Sequence, residues 1–235
     1  MLSFALNCRA FVWLFTACII SAVMIVKCVA GGMFLTNCYI VGDEEAGEGI
    51  LIDPGEQIVE IMAEIEKTGL KITRIINTHT HIDHVAGAQA AKEMLSVPFS
   101  IHEKEQPVLD ILPEACRRYP EFGNVRKPDV EEYVEDGQTV EVGSLRAEIA
   151  LAPGHTWGSV CLIFEKEEVI FSGDTLFAGS VGRVDLTGGT TMEELVGSIN
   201  SVIMTRPDSF AVLSGHGPGT TVGIERESNP FLRAF

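Results

Sequence analysis

The segment NTHTHIDHVAG, residues 77 to 87, places three histidines and an aspartate within six positions. It follows the apolar, β-branched run KITRII, which predicts a buried strand, and its end overlaps the Ala-rich segment VAGAQAAKEML, which predicts a helix. Side chains two residues apart diverge by about 200° around a helix, so one helical face cannot present them all. A loop between a strand and a helix must therefore gather His79, His81, Asp83 and His84.

Three later residues occupy equivalent places in the chain. They are His155 in APGHTWGS, Asp174 in FSGDTLF and His216 in LSGHGPG, and each follows an apolar run and adjoins a glycine. Loops at strand ends are where a rigid scaffold presents functional groups, and glycine allows the backbone to crowd a small site. The sequence therefore predicts that these three side chains join the four of the first segment.

The seven side chains are five histidines and two aspartates. Two metal ions with three ligands each, and one carboxylate shared by both, require this number. Imidazole and carboxylate ligands suit Zn, Fe, Mn or Ni, and the lack of cysteine in the set argues against a closed structural zinc site. The sixth histidine, His102 in SIHEKE, is left over, and we assign it a structural or surface role.

The composition favours one globular domain of 235 residues, of which 46% are hydrophobic. The formal charge of -16 opposes binding to phosphate backbones and anionic membranes, so nucleic acid is excluded as a first interpretation. The six cysteines form no C-x-x-C pair, and most lie in apolar runs, so we expect reduced thiols.

The first part of the chain allows three interpretations. Residues 10 to 26 carry no charge, and about 17 such residues are the lower limit for a membrane-spanning helix. Residues 1 to 23 are therefore an upstream extension or overcalled start, a membrane anchor, or a cleaved signal. We predict a folded domain over residues 24 to 235 and a cytoplasmic protein, with anchoring through the apolar segment as the alternative.

Helix and strand patterns alternate along the rest of the chain. EQIVEIMAEIEKTG has the i, i+3, i+4, i+7 spacing of an amphipathic helix, and TTMEELVGSINSVIM is a helix opening with a possible capping box from Thr191 to Glu194. EKEQPVLDILPEACRRY predicts a helix that prolines interrupt or delimit, and MFLTNCYIV predicts a strand. This order indicates a layered α/β domain with helices outside packed sheets.

HTHIDH resembles the H-x-H-x-D-H signature of the metallo-β-lactamase superfamily, and PGHTWGS, SGDTLF and SGHGP follow in the order of that family's other ligand motifs. GDTLFAGSVGRVDL and GHGPGTTVGIERESNPFL are most similar to the glyoxalase II-like (hydroxyacylglutathione hydrolase-like) branch. The resemblance, over about residues 24 to 233, implies a four-layer αββα sandwich with a metal site at one edge of the sheets. It also implies ligand roles: metal 1 by His79, His81 and His155, metal 2 by Asp83, His84 and His216, and a bridge by Asp174.

The resemblance implies two divalent ions, zinc first, with iron or manganese as alternatives. A bound ion lowers the pKa of its water from 15.7 to about 7, which makes hydroxide available to attack an ester or thioester. No spare acid stands beside the motifs, and a thiolate leaves without one, so a small thioester such as an S-acylglutathione is favoured. Asp83 and Asp174 are the predicted catalytic residues. Full-length glyoxalase II enzymes add a helical domain after these motifs, whereas 19 residues follow His216 here, so glutathione specificity stays open.

Further residues have both a functional and a structural interpretation. Arg183 would meet an anionic substrate or pair with a carboxylate such as Asp185. Asp53, in LIDPG, would support a ligand or only form a turn. Tyr39 and Trp157 would line a pocket or pack in the core and at its rim.

Other activities remain open on the same motifs. A mononuclear iron persulfide dioxygenase would use only His79, His155 and Asp174 as ligands. Phosphodiester or nucleic-acid hydrolysis on the same fold is a further alternative, which the acidic charge disfavours without excluding small phosphodiesters, and a lactonase or β-lactamase lies between these activities. We predict a small-molecule thioester or ester substrate, with a membrane partner only if residues 1 to 23 are an anchor.

Overall fold

Apolar and β-branched runs form two six-stranded sheets in the computed structural model, which describes residues 24–233. The segment 1–23, with its three interpretations, lies outside the described residues. The first sheet contains, in spatial order, β1 Met24–Gly31, β2 Thr36–Asp43, β3 Glu48–Ile52, β4 Lys71–Ile76, β5 Phe99–His102 and β6 Glu132–Val134. Strands β1 to β3 are antiparallel, and β3 to β6 are parallel.

The second sheet follows the first along the chain. Its members are β7 Thr139–Val142, β8 Leu145–Leu151, β9 Val160–Phe164, β10 Val169–Gly173, β13 Ala211–Ser214 and β14 Thr220–Thr221, in the spatial order β14-β13-β10-β9-β8-β7. Only β10 and β13 pair in parallel among these neighbours. A separate hairpin joins β11 Leu176–Phe177 to β12 Ser180–Val181.

The helices cover the outer faces of the two sheets. They are α1 Ile58–Thr68, α2 Ile82–Val85, α3 Ala88–Leu95, α4 Gln106–Asp110, α5 Leu112–Arg118, α6 Met192–Ser198 and α7 Val222–Ser228. Residues of α1, α3 and α5 share an apolar cluster with the first sheet, and residues of α6 share another with the second sheet.

The two-residue period of each strand builds the layers. In β9, Leu162 and Phe164 point into the apolar cluster between the sheets, whereas Cys161 and Ile163 face the helices. Strands buried on both faces require nearly continuous apolar runs, and VCLIF is such a run. The predicted four-layer αββα sandwich is confirmed, with one core between the sheets and one under each helical layer.

Local structure departs from the sequence patterns at the first and third of the following places and agrees with the predicted proline interruption at the second. Residues 33–35 form part of a turn instead of the start of a strand, and Leu35 has a positive φ of 55°. The segment 103–119 breaks at Ile111 into α4 and α5, because Pro113 lacks the N–H that a continuous helix needs. Helix α6 is α-helical only to Ser198, and the chain continues as a π-helix over Ile199–Ile203.

Two further findings concern helix length and the state of the cysteines. Among residues 24–233, no helix has both the length and the apolar character needed to cross a bilayer. Four cysteines in that range are free thiols, namely Cys28, Cys38, Cys116 and Cys161.

Candidate metal centre

Four strand-end loops meet at one edge of the two sheets. The loop after β4 and the short helix α2 carry the first four predicted ligands, and the loops after β8, β10 and β13 carry His155, Asp174 and His216. Asn37 of the first sheet connects the two sheets at this edge. Its side-chain amide donates to the carbonyls of Ser214 and Gly217 at 2.9 Å each. The fold thus brings all seven side chains around one space, here called the ligand hollow.

One group in the hollow consists of three histidines. Nδ1 of His81 lies 2.9 Å from Nε2 of His155, and the His79 ring stands 4.8 Å and 4.7 Å from the other two rings, centroid to centroid. One ring nitrogen from each lies within 4.8 Å of the others. This is the predicted metal 1 set, and its geometry suits three nitrogen ligands on one ion.

The other group combines a carboxylate with two histidines. Nε2 of His84 and Nε2 of His216 are 3.2 Å apart, and Oδ2 of Asp83 is 3.4 Å from the first nitrogen and 3.2 Å from the second. Thr36 donates its hydroxyl to the same Asp83 oxygen at 2.8 Å. This is the predicted metal 2 set.

Asp174 lies between the two groups. Its Oδ1 is 3.4 Å from Nε2 of His84, and its Oδ2 is 3.4 Å from Nε2 of His216 and 3.6 Å from Nε2 of His155. A single carboxylate is therefore in reach of atoms from both sets, as a bridging ligand must be.

The outward-facing nitrogen of each histidine has a fixed acceptor. His79 contacts the Thr78 hydroxyl at 3.1 Å and His84 the Asp53 carboxylate at 3.0 Å. Backbone carbonyls accept from the other three: Thr187 from His81 at 2.8 Å, Arg183 from His155 at 2.7 Å, and Phe34 from His216 at 3.0 Å. Such acceptors fix the ring orientation and leave the second nitrogen free for a metal.

Two buried atoms test whether these residues fit a metal. Among the described residues, Nε2 of His79 and Oδ1 of Asp174 have no hydrogen-bond partner. Buried polar atoms are nearly always paired, so an unpaired nitrogen and an unpaired oxygen facing one hollow are suited to coordinating a cation. The nitrogen and oxygen donors suit zinc, iron or manganese.

The electrostatics of the hollow agree with cation binding. Burial and the neighbouring His84 imidazole hold the pKa of His79 well below its usual range, and burial lowers the pKa of His155 to about 4. Both rings are therefore neutral near pH 7, the form that ligates a metal. Burial opposes ionisation of Asp174, but the adjacent His84 imidazole holds the pKa of this carboxyl well below its usual range.

Asp53 supports the ligands from behind. It is buried, and besides His84 it accepts from the backbone N–H of Thr78 at 2.7 Å and from the Thr78 hydroxyl at 2.6 Å. Its oxygens also lie close enough to His79 and His84 to form a third candidate metal group. Because both oxygens already accept these hydrogen bonds, we assign Asp53 to orienting His84.

The sequence did not point to Glu105, which is fully buried beside the hollow. Its Oε2 accepts from the backbone N–H and the hydroxyl of Thr80, at 2.8 Å and 3.0 Å, and its Oε1 accepts from the N–H of Gly158 at 3.0 Å. Glu105 thus connects the loop of His79 and His81 to the loop of His155. An acidic residue within EKEQ looks like surface in the sequence, and only the contact shows its place.

A cavity of about 1000 Å³ opens beside the hollow. Five of the seven predicted ligands line it: His81, Asp83, His155, Asp174 and His216. Apolar residues of α4 and α5 and the aromatic side chains Phe34 and Phe177 supply much of the remaining wall. This volume suits a small-molecule ligand.

The other singled-out residues have separate places. Arg183 lines the cavity and forms a double hydrogen bond with Asp185, at 2.9 Å and 2.8 Å. Tyr39 is a core residue whose hydroxyl donates to the carbonyl of Ser214 at 2.7 Å. Trp157 is 42% exposed and lies at a smaller, separate cavity, and His102 is buried outside the hollow, where its Nδ1 accepts from the N–H of Lys104.

Comparison with known proteins gives one family. Residues 31–222 match the sequence profile of the Metallo-beta-lactamase superfamily. The hydroxyacylglutathione hydrolase GloC of Haemophilus influenzae is 33% identical over 208 residues, which are 86% of this chain and 94% of GloC.

Two solved structures are similar over the same region. TTHA1623 in a di-iron-bound form has a TM-score of 0.79 and 34% identity, over 88% of this chain and 100% of that one. The BLEG-1 B3 metallo-beta-lactamase has a TM-score of 0.77 and 32% identity, over 88% and 99% of the two chains. Both are similar along nearly their whole length.

Proposed function

Since the chain belongs to the metallo-beta-lactamase superfamily and is a metal-dependent hydrolase, we propose that it binds two divalent ions in the ligand hollow and cleaves a small thioester. His79, His81 and His155 would hold one ion, Asp83, His84 and His216 the other, and Asp174 would bridge them. Zinc is the proposed metal, and iron is the alternative that the di-iron form of a similar protein suggests.

The position of Asp174 carries the two-ion proposal. Its oxygens are within 3.6 Å of nitrogens from both groups. A mononuclear iron dioxygenase would need only His79, His155 and Asp174 as ligands. It would not account for the second group of possible ligands, formed by Asp83, His84 and His216. When bound, the ions would act as Lewis acids and make water a nucleophile near neutral pH.

The cavity favours a thiol as the leaving group. Apart from Asp83 and Asp174, Glu114 on the exposed part of α5 is the only carboxyl group among the described residues that line it. Beyond Asp83 and Asp174, no carboxylic acid among the described residues therefore stands at the hollow to protonate a leaving group. A thiolate, whose conjugate acid has a pKa near ~8.5, departs without one, whereas an alkoxide or an amine normally needs protonation. The similarity to GloC supports an S-acylglutathione-like substrate.

Replacing Asp174 tests the proposal directly. We expect Asp174→Ala to abolish hydrolysis of S-lactoylglutathione and to lower the metal content, because both ions lose a shared anionic ligand. Elemental analysis and a thiol-release assay on the same preparation measure the two effects. Asp129→Ala, which removes an exposed aspartate outside the cavity, serves as the control, and wild-type turnover in Asp174→Ala would refute the assignment.

Metal counting separates the hydrolase from the dioxygenase. The hydrolase requires two ions per chain and releases a free thiol from S-lactoylglutathione. One iron per chain, with sulfite formed from glutathione persulfide, would replace the proposal by the dioxygenase.

A further inference from the structure

The crossover between β5 and β6 forms one wall of the cavity. α4 and α5 contribute its apolar surface through Val108, Ile111, Leu112 and Ala115. α5 contacts α2, the short helix that contains Asp83 and His84. The wall is therefore attached to the element that supplies two of the proposed ligands.

Arg117 and Arg118 end α5, are exposed, and line the cavity. Within residues 24–233, neither guanidinium has a carboxylate oxygen within the 4.0 Å of a salt bridge. Six other arginines do form such pairs: Arg74, Arg126, Arg146, Arg183, Arg206 and Arg226. In a chain of formal charge -16, two uncompensated cations at the cavity make a local field that attracts anions.

Direct contacts hold Arg118 at a defined place relative to the hollow. Its guanidinium lies 5.7 Å from the centroid of the Tyr119 ring, and that ring packs edge-on against Phe34 at 5.7 Å. The carbonyl of Phe34 accepts the hydrogen bond from Nδ1 of His216. A continuous set of contacts thus joins the arginine to a proposed ligand.

Arg183 contributes less free charge to the same cavity. Its carbonyl holds His155, and its guanidinium is occupied by Asp185. Glu114 adds one negative charge near the start of α5. The open anion-binding capacity of the cavity therefore lies with Arg117 and Arg118.

We propose that Arg117 and Arg118 bind a carboxylate or phosphate on the thiol half of the thioester substrate. This inference rests on the proposed function. The acyl carbonyl must lie at the hollow, and a small acyl group leaves most of the cavity of about 1000 Å³ to the thiol half. Guanidinium groups match the geometry of both anions.

The test compares two thioesters with the same lactoyl group. S-lactoylglutathione carries carboxylates on its thiol half, and S-lactoyl-N-acetylcysteamine carries none. For Arg117→Gln/Arg118→Gln in the metal-loaded protein, we expect KM for the first to rise about tenfold with kcat changed less than about twofold, because charge-assisted hydrogen bonds are lost. The neutral thioester should be unaffected, Arg117→Lys/Arg118→Lys should restore part of the affinity, and Arg146→Gln should match wild type.

Calorimetric binding of uncleavable thioethers gives a readout without turnover. S-hexylglutathione and S-hexyl-coenzyme A separate a carboxylate source from a phosphate source, and the thioether that loses more affinity in the double glutamine variant identifies the anion. Unchanged binding of both thioethers in the double glutamine variant would overturn the inference, and equal changes in KM for the two thioesters would overturn a carboxylate as the bound anion. If the wild type hydrolyses neither thioester, the proposed function fails, and the calorimetry alone decides on the anion site.

Discussion

At the scale of single residues, the metal centre depends on groups that never contact a metal. Glu105 is such a group, because its two oxygens hold Thr80, between His79 and His81, and Gly158, three residues after His155. The three proposed metal 1 ligands are thus kept in register by one buried carboxylate. Substituting a residue that supports metal ligands in this way typically lowers the metal affinity 10- to 100-fold.

We expect Glu105→Gln to weaken metal binding by roughly 10- to 100-fold while the protein stays folded. Glutamine keeps the size of the side chain but offers one acceptor oxygen, so its amide group would oppose the N–H of Gly158 or Thr80. Competition with a chelating dye measures the affinity, and circular dichroism checks the fold. Glu103→Gln changes an exposed neighbour and is the matched control, and equal affinities of the two variants would rule out this role for Glu105.

At the scale of elements, the strand ends are crowded enough to require glycine. A Cβ on Gly215, just before His216, would lie 2.2 Å from Oδ1 of Asp174 and 2.6 Å from Cε1 of His84. A Cβ on Gly182 would lie 2.0 Å from the carbonyl oxygen of Asp174. The glycines beside the ligand motifs therefore allow neighbouring loops to approach, as the sequence pattern predicts.

Gly215→Ala should lower kcat/KM by about 100-fold, the usual scale for displacing a reacting group by about 1 Å. The added methyl group displaces Asp174 or His84, so metal content should fall in parallel. Gly197→Ala is the control, since a Cβ there meets nothing within 4 Å, and α6 should tolerate it. Full activity in Gly215→Ala would show that the loops can separate without loss.

The sequence predicted the layers and the meeting of the seven side chains at one edge of the sheets, because both follow local rules. Strand periodicity and the run of histidines in HTHIDH are visible in one short window. Glu105, Thr36 and Arg118 could not be found this way, since their importance comes from contacts with residues distant in the chain. The break at Ile111 was foreseen from the prolines, but the turn at residues 33–35 was not, because its exposed apolar residues have strand propensity.

At the scale of the whole molecule, Asp43 joins the two sheets. It ends β2 of the first sheet, and its Oδ2 accepts from the N–H and hydroxyl of Ser144, between β7 and β8 of the second, at 2.7 Å and 2.6 Å. Its Oδ1 accepts from the N–H groups of Glu45 and Ala46. The hydrogen bonds from Ser144 and Ala46 lower the pKa of Asp43 to about 2, from an ordinary 3.8.

This lowered pKa predicts the pH range in which Asp43 stabilises the fold. The contribution of Asp43 to the free energy of unfolding is present above a pH of about 4 and is lost as the pH falls toward 2. The reason is that, as the pH falls, this carboxyl is protonated in the unfolded chain before it is protonated in the folded one. We therefore expect the difference in unfolding free energy between wild type and Asp43→Asn to shrink between pH 6 and pH 2.5. Urea unfolding at several pH values measures it, with Glu44→Gln as the control. A difference independent of pH would contradict the assignment.

The crossover from β5 to β6 separates two tasks within one chain. The proposed ligands lie on loops that the strands position. α4 and α5 lie outside the sheets, in the connection between the adjacent parallel strands β5 and β6. The exposed end of α5, which carries Arg117 and Arg118, can change its charges, in evolution or by substitution, without changing the strand register behind the ligand hollow. Under the proposed function, the thiol half that is accepted can then diverge while the ligand hollow stays unchanged.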